Sequence, residues 1–258
     1  MSAHDGGTVG KALGVLDLVA AQDGPIRFSD LQRLSPLPKA TLYRLTQTLT
    51  AEGMLTQDGE TGAYTLGMRL VRLAHTAWRQ ASLAPIARPH LEALADETGH
   101  AVHLGQLDYG HVLYLDKIGG TDGEAGMSGA GKIVPAYCTA QGKAMLAYLD
   151  PVQLDQVLAL QSYQRFTPAT LGSEAVLRQS LENVRQQGFA LDLEEYQDGV
   201  ICVAAPVLSA ENRVLGAVSL TAQTSYADRA ALENWVPQLR DSAEAIAAEM
   251  MQWTSPAG

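Results

Sequence analysis

The chain is predicted to be α+β: an N-terminal winged helix-turn-helix, a linker helix, and a second domain built on an antiparallel sheet. Three observations carry that expectation. Residues 28–66 read as a short helix, a tight turn, a longer helix and a hairpin. In the second half, apolar alternating runs come in pairs about the turn residues Asp108-Tyr109-Gly110 and Glu211-Asn212-Arg213. The order helix, two strands, helices, strands, helix then suits an antiparallel sheet with helices around it. At 258 residues, 47% of them hydrophobic, the chain is long enough for two cores.

Taken in order, residues 1–7 show no pattern. Thr8 can cap a helix through about Asp23, with Val9, Leu13, Leu16, Val19 and Ala20 at helical spacing. Gly24-Pro25 ends it, and Ile26-Arg27-Phe28 can add a short strand to the wing. Ser29 is the expected N-cap of the next helix, which Pro36 and Pro38 stop. A helix over about 39–52 follows, with Leu42, Leu45, Leu49 and Ala51 toward a core and Gly53 at its end. MLTQ, a DGETG turn and AYTL make a hairpin. Gly67 opens the linker helix, with a stripe of Leu70, Leu73, Ala74 and Ala77.

Beyond it, Pro85 and Pro89 enter a helix ended by Gly99. Two strands follow, Val102, Leu104 and Leu107 facing Val112, Tyr114 and Leu115. After a Gly-rich loop come helices over about 139–149, 151–160 and 173–187 and strands over about 189–192, 200–208 and 213–222. A long helix over about 226–253, kinked at Pro237, closes the chain. Domain boundaries fall at 1–66, 67–83 and 84–258.

The second helix of the helix-turn-helix is shaped to enter a DNA major groove. Lys39, Thr41, Tyr43, Arg44 and Gln47 lie off its apolar face, and basic, hydroxyl and amide groups are the types that reach phosphates and base edges. The net charge of −10 divides unevenly. Residues 1–80 hold eight Lys and Arg against seven Asp and Glu, and the remainder ten against twenty-one. An acidic body repels DNA and leaves the near-neutral head to approach it. Two distant cysteines, Cys138 and Cys202, exclude a disulfide scaffold and a four-cysteine zinc site. No apolar run approaches a membrane span and no signal peptide opens the chain, so a cytoplasmic location with no membrane partner is expected.

Thr139 starts a helix whose first turn, Ala140, Gln141, Gly142 and Lys143, leaves backbone N–H groups open to a carboxylate or phosphate. An ordinary N-cap with a packing glycine is the alternative. Asp192 ends a strand, Cys202 lies inside another, and Ser219 and Thr221 share one face of a third. One acid, one thiol and two hydroxyls amid apolar side chains suit a small metabolite cavity.

The run PKATLYRLTQTLTAEGML, followed by YTLGMRLVRLA, resembles the DNA-binding half of IclR-type bacterial transcriptional regulators. With CTAQGKA and the DLEE to ICVAAPV segment, the resemblance extends from about Val9 to Glu249. It implies a winged helix-turn-helix joined by a linker helix to a GAF-like α/β effector-binding domain. It also implies dimers or tetramers on a palindromic operator, and a small effector, often a carboxylate. The family's pocket matches here the loop near Met127, then Ala140, Gln141, Asp192, Cys202, Ser219 and Thr221. Many relatives carry larger side chains and an Arg in the loop where this chain has GEAGMSGAGKIV.

Catalytic readings fare worse. Gly126 to Ile133 nearly matches a phosphate-binding loop but has Ile133 where Ser or Thr should hold magnesium. Cys202, His103 and Asp192 offer the types of a nucleophile, base and orienter, or of a metal site, yet no glycine turn exposes the thiol. Glu194 and Glu195 read as solvated charge, and His75, His90, His100 and His111 stand in no ligand spacing. The expectation is a ligand-responsive transcriptional regulator with no catalytic residues, metal or cofactor. The rival is a metabolite-binding enzyme or sensor whose head binds protein rather than DNA.

Overall fold

The computed structural model describes residues 7–81, 83–119 and 130–254. It divides into two compact units, Met1–Ala81 and Ser82–Gly258. The first holds α1 (Gly7–Ala20), α2 (Phe28–Leu34), α3 (Lys39–Ala51), β1 (Leu55–Gln57), β2 (Tyr64–Leu66) and α4 (Met68–Ala81). Antiparallel β1 and β2 make the wing, and Ile26 bridges Tyr64 as a third short piece of it. The core joins Val15, Leu16 and Val19 of α1 to Leu31, Leu42, Leu45, Leu49, Leu55 and Tyr64.

Local expectations shift in four places. The buried stripe of α1 is Ala12, Val15, Leu16 and Val19, spaced i, i+3, i+4, i+7, so Val9 and Leu13 are exposed. The extended bridge at Ile26 runs into Arg27, so α2 starts at Phe28 with Arg27 as its uncapped N-cap and Ser29 is already inside it. On α3, Thr46 is buried and Ala51 is exposed, because 42, 45, 46 and 49 share a face that residue 51 leaves. The Thr46 hydroxyl is satisfied by donating to the Tyr43 carbonyl at 2.8 Å. On α4, Leu70 packs on the core of this unit, whereas Leu73 and Ala74 are exposed.

The second unit holds α5 (Ala84–Thr98), β3 (Ala101–Asp108), β4 (His111–Ile118), β5 (Ile133–Pro135), α6 (Ala140–Leu146), α7 (Pro151–Ala159), α8 (Glu174–Gln187), β6 (Ala190–Leu193), β7 (Val200–Leu208), β8 (Val214–Gln223), α9 (Arg229–Asn234) and α10 (Val236–Thr254). Its sheet is antiparallel, in the order β5-β4-β3-β8-β7-β6. Val102, Leu104, Val203, Ala205, Val218 and Leu220 face one way, into a core with α5 and α10. Their alternating neighbours face α6, α7 and α8, where Ala204 and Ala217 meet Ala144, Met145, Leu177 and Leu181.

The β3–β4 hairpin pairs Leu107 with Val112 as expected, but a bulge between Leu104 and Gly105 sets Leu104 opposite Asp116. The last helix is two. Pro237 has no N–H for the carbonyl four residues back, so the helix breaks at Trp235 and Pro237 enters the first turn of α10.

Candidate functional site

On α3 the residues expected at DNA lie away from the core face. Lys39, Tyr43, Arg44 and Gln47 are exposed and Thr41 is half-buried. At 100° per residue, Lys39, Tyr43, Gln47 and Arg44 span one continuous sector. Ala40 and Thr48 share this exposed face and were not singled out in the sequence. The Tyr43 ring stands edge-on to Phe28, centroids 5.8 Å apart, which fixes its direction on the surface. Gln47 Nε2 donates to the Tyr64 hydroxyl at 3.4 Å, tying the helix face to the wing. Among the described residues neither Lys39 nor Arg44 has an ion-pair partner. The wing turn is held by Asp58, whose Oδ1 accepts from the Thr61 N–H at 2.7 Å and the Glu60 N–H at 3.2 Å. These bonds, with the Thr61 hydroxyl first among them, hold its carboxyl below the usual carboxylate range.

In the second unit, strand register does the assembling. Asp192 pairs with Cys202, and Cys202 with Thr221, in one row across β6, β7 and β8. In the next row, Ala204 pairs with Ser219, and Ser219 with His103 of β3. Alternation turns all of these toward α6 and away from the core that faces α10. All but Ala204 line a cavity of about 60 Å³ together with Tyr114, Thr139, Ala140, Gln141 and Tyr196. That is several times the roughly 10–15 Å³ a single water needs, which suits a compact ligand. Seven of the eight residues proposed for an effector therefore meet at one cavity, and Met127 lies outside the described residues, as do Gly126 to Gly129 of the phosphate-loop-like run.

The helix facing the two rows is seated by a close approach. A Cβ on Gly142 would stand 2.1 Å from the Ala136 carbonyl oxygen, so only glycine lets α6 lie this close. Thr139 caps it, accepting from the Gly142 N–H at 3.3 Å while donating to the Pro135 carbonyl at 2.8 Å. Both of its roles are thus taken up by the fold. Gln141 is buried, and its amide donates to the His103 carbonyl at 2.8 Å and to Ser219 Oγ at 3.0 Å. Having accepted that bond, the Ser219 hydroxyl keeps its own proton to donate. Thr221 Oγ1 stands between Cys202 Sγ at 3.2 Å and His103 Nδ1 at 3.4 Å. The Cys202 thiol thus lies within hydrogen-bond distance of the Thr221 hydroxyl. No group of three or more His, Cys, Asp and Glu among the described residues is arranged to hold a metal.

Burial dominates the electrostatics. The Asp192 carboxyl is pushed up to about 7, first by burial and then by the neighbouring charge of Glu195, with Lys143 and the Glu195 and Tyr196 N–H groups opposing. His103 is pushed down to about 3 by burial and then by Lys117, so its ring is neutral. Burial likewise raises the Tyr114 phenol and the Cys138 thiol. Glu195, expected in water, is instead buried and ion-paired to buried Lys143. The turn after β6 carries it inward, because Asp192 Oδ1 accepts its N–H at 2.7 Å and Thr170 Oγ1 donates to its carbonyl at 2.6 Å. Alternation on β3 was the available signal for His103, but nothing local marks Tyr114, Lys143 or Tyr196.

Two family models cover the chain: the IclR helix-turn-helix domain over residues 8–59, and the bacterial transcriptional regulator IclR C-terminal domain over residues 75–248. The chain belongs to the IclR family. It is 38% identical over 239 residues to the HTH-type transcriptional regulator XynR of Escherichia coli (strain K12), covering 93% of this chain and 95% of XynR. With the regulator KdgR of the same organism it shares 31% over 240 residues, 93% of this chain and 91% of KdgR. Among solved structures, an IclR homolog from Microbacterium hydrocarbonoxydans complexed with 4-hydroxybenzoate matches in fold with a TM-score of 0.81, at 24% identity, over 95% of this chain and all of that one, 100%. The matched IclR relatives are transcriptional regulators, and this chain is a DNA-binding regulator of transcription.

Proposed function

We propose that this IclR-family regulator binds a palindromic operator as a dimer or tetramer and is modulated by a small carboxylate-bearing metabolite held in the cavity of its second unit. The single observation behind the ligand is the cavity itself. Two adjacent rows of an otherwise apolar sheet put Asp192, Cys202 and Thr221 beside Ser219 and His103, under a helix whose Gln141 orients Ser219. A few directed polar groups in an apolar enclosure are what a metabolite site needs. In this reading residues 1–66 read the DNA, 67–83 link, and 84–258 sense. On the DNA, Lys39 contacts a phosphate, Thr41, Tyr43, Arg44 and Gln47 face the major groove, and the wing turn at 58–62 touches the backbone. Ser219 and Thr221 donate to the ligand, and Ala140 and Gln141 border it from α6.

A thermal-shift panel of 2-oxo acids, hydroxy acids and aromatic carboxylates, 4-hydroxybenzoate included, tests the ligand half of this reading. A ligand at 100 times its dissociation constant adds about 2.7 kcal/mol to the stability of the unit that holds it. One class is expected to raise the melting temperature of the wild type and to raise that of Ser219→Ala much less. A panel without any shift, or a shift equal in the variant, would remove the cavity from the account.

A further inference from the structure

The cavity sets a few polar groups in an apolar enclosure, and no cation is among its described lining residues. Its charged or titratable members are Asp192, His103, Cys202, Tyr114 and Tyr196, with no lysine or arginine among the lining residues. Residues 120–129 contain neither lysine nor arginine in sequence. Lys143 lies behind Asp192 but is turned to Glu195. Lys117 pairs with His103 across β3 and β4, at the end of the cavity away from Asp192, and is not one of its lining residues. An anion entering this space would therefore meet a buried acid whose one cationic neighbour, Lys143, is already shared with Glu195, an arrangement that is unfavourable unless the anion or the acid is neutralised.

We infer that the cavity takes its ligand as a net-neutral unit: a carboxylate enters together with one proton, which it shares with Asp192, so that Asp192 selects for ligands able to accept a hydrogen bond from its acid form. The inference deepens the proposed function and rests on its reading of the cavity as the ligand site. Geometry supplies the reason. One Asp192 oxygen is already committed to the Glu195 N–H at 2.7 Å, and the Tyr196 N–H adds a second backbone bond to the carboxyl group. Glu195 Oε2 is buried with no hydrogen-bond partner, so a second negative charge beside it has little to offset it. The groups facing Asp192 are Cys202 from β7, Lys143 from α6, Glu195 and Tyr196 from its own turn, Tyr114 from β4, and Cys138 just before α6. Of these only Lys143 is cationic, and it is shared with Glu195. The balance is one ligand anion and one solvent proton in, with no other group changed. Burial already places the Asp192 carboxyl at about 7, so the proton is supplied to the free protein below that pH and must be taken up with the ligand above it.

The experiment is isothermal titration of pyruvate, lactate and 4-hydroxybenzoate into the full chain from pH 6 to pH 8.5, in two buffers of different ionisation enthalpy. For any acid that binds, affinity is expected to be level below pH 7, to weaken about tenfold per pH unit above it, and to show uptake of nearly one proton at pH 8. The amide of the same acid, and the acid titrated into Asp192→Asn, should bind with no proton uptake and a level profile. Asparagine keeps an oxygen for the Glu195 N–H, and the two-buffer result on the wild type stands without the variant. Binding by a carboxylate with a level profile and no proton uptake would overturn the inference and leave the ligand site standing. If Lys117→Met then abolished that binding, the anion would sit on that lysine. Failure of all three acids to bind at any pH would sink both the inference and the carboxylate reading.

Discussion

The two units present their functional groups in opposite ways. On α3, Lys39, Tyr43, Arg44 and Gln47 project into solvent from a face that the core does not use. In the second unit, Asp192, Ser219, Gln141 and His103 are buried, each fixed by a neighbour. On the proposed function, the difference follows from the partners. A duplex is recognised by groups that reach outward and shed their water on contact, whereas a small molecule is recognised by groups desolvated in advance. Substitutions on α3 should therefore alter binding and spare stability. Substitutions around the cavity should alter both.

The sharpest break in that contrast is at the ion pair below the cavity. Lys143→Met leaves Glu195 buried without its partner and is expected to cost about 3–5 kcal/mol in urea unfolding of the full chain. Replacing both, Lys143→Met with Glu195→Gln, should restore much of that stability, because no uncompensated charge is left. A single variant as stable as the wild type would mean that the pair is solvated and the cavity floor is not dry. Next comes Arg44→Ala, expected to lose about 1–3 kcal/mol of operator affinity and to relax specificity at one base position. Its unfolding midpoint should stay within about 0.5 kcal/mol of wild type, as for an exposed surface site. Lys39→Ala is the smallest expected effect, a weakening common to all sequences with the salt slope reduced by about one. Equal loss of stability in the α3 variants would erase the distinction between the units.

How far each region could be read in advance follows the same line. The head is local. Helix α3 shows its apolar period at 42, 45 and 49, and the hairpin announces itself by turn residues at 58–62, so nothing distant had to be known. Where reading failed there, at Val9, Leu13 and Ala51, the apolar residues outnumbered the faces that neighbouring elements cover. In the second unit the strand alternation of Ser219 and Thr221 was visible, and so was the cap at Thr139. The burial of Glu195 was not. It depends on Lys143, 52 positions away, and on a turn whose inward course is set by Asp192 and Thr170. His103 joins the cavity through its register with Ser219, a partner 116 positions later that no local pattern announces.

Occupancy of the cavity is expected to change operator binding. Fluorescence anisotropy of the full chain on the DNA upstream of its own gene, with and without the carboxylate that the thermal-shift panel returns, tests this. Coupling between two sites is typically about 5–150-fold in affinity. A change of at least about fivefold is expected for the wild type and none for Ser219→Ala at the same ligand concentration. A carboxylate that saturates the cavity and leaves operator affinity unchanged would contradict the account.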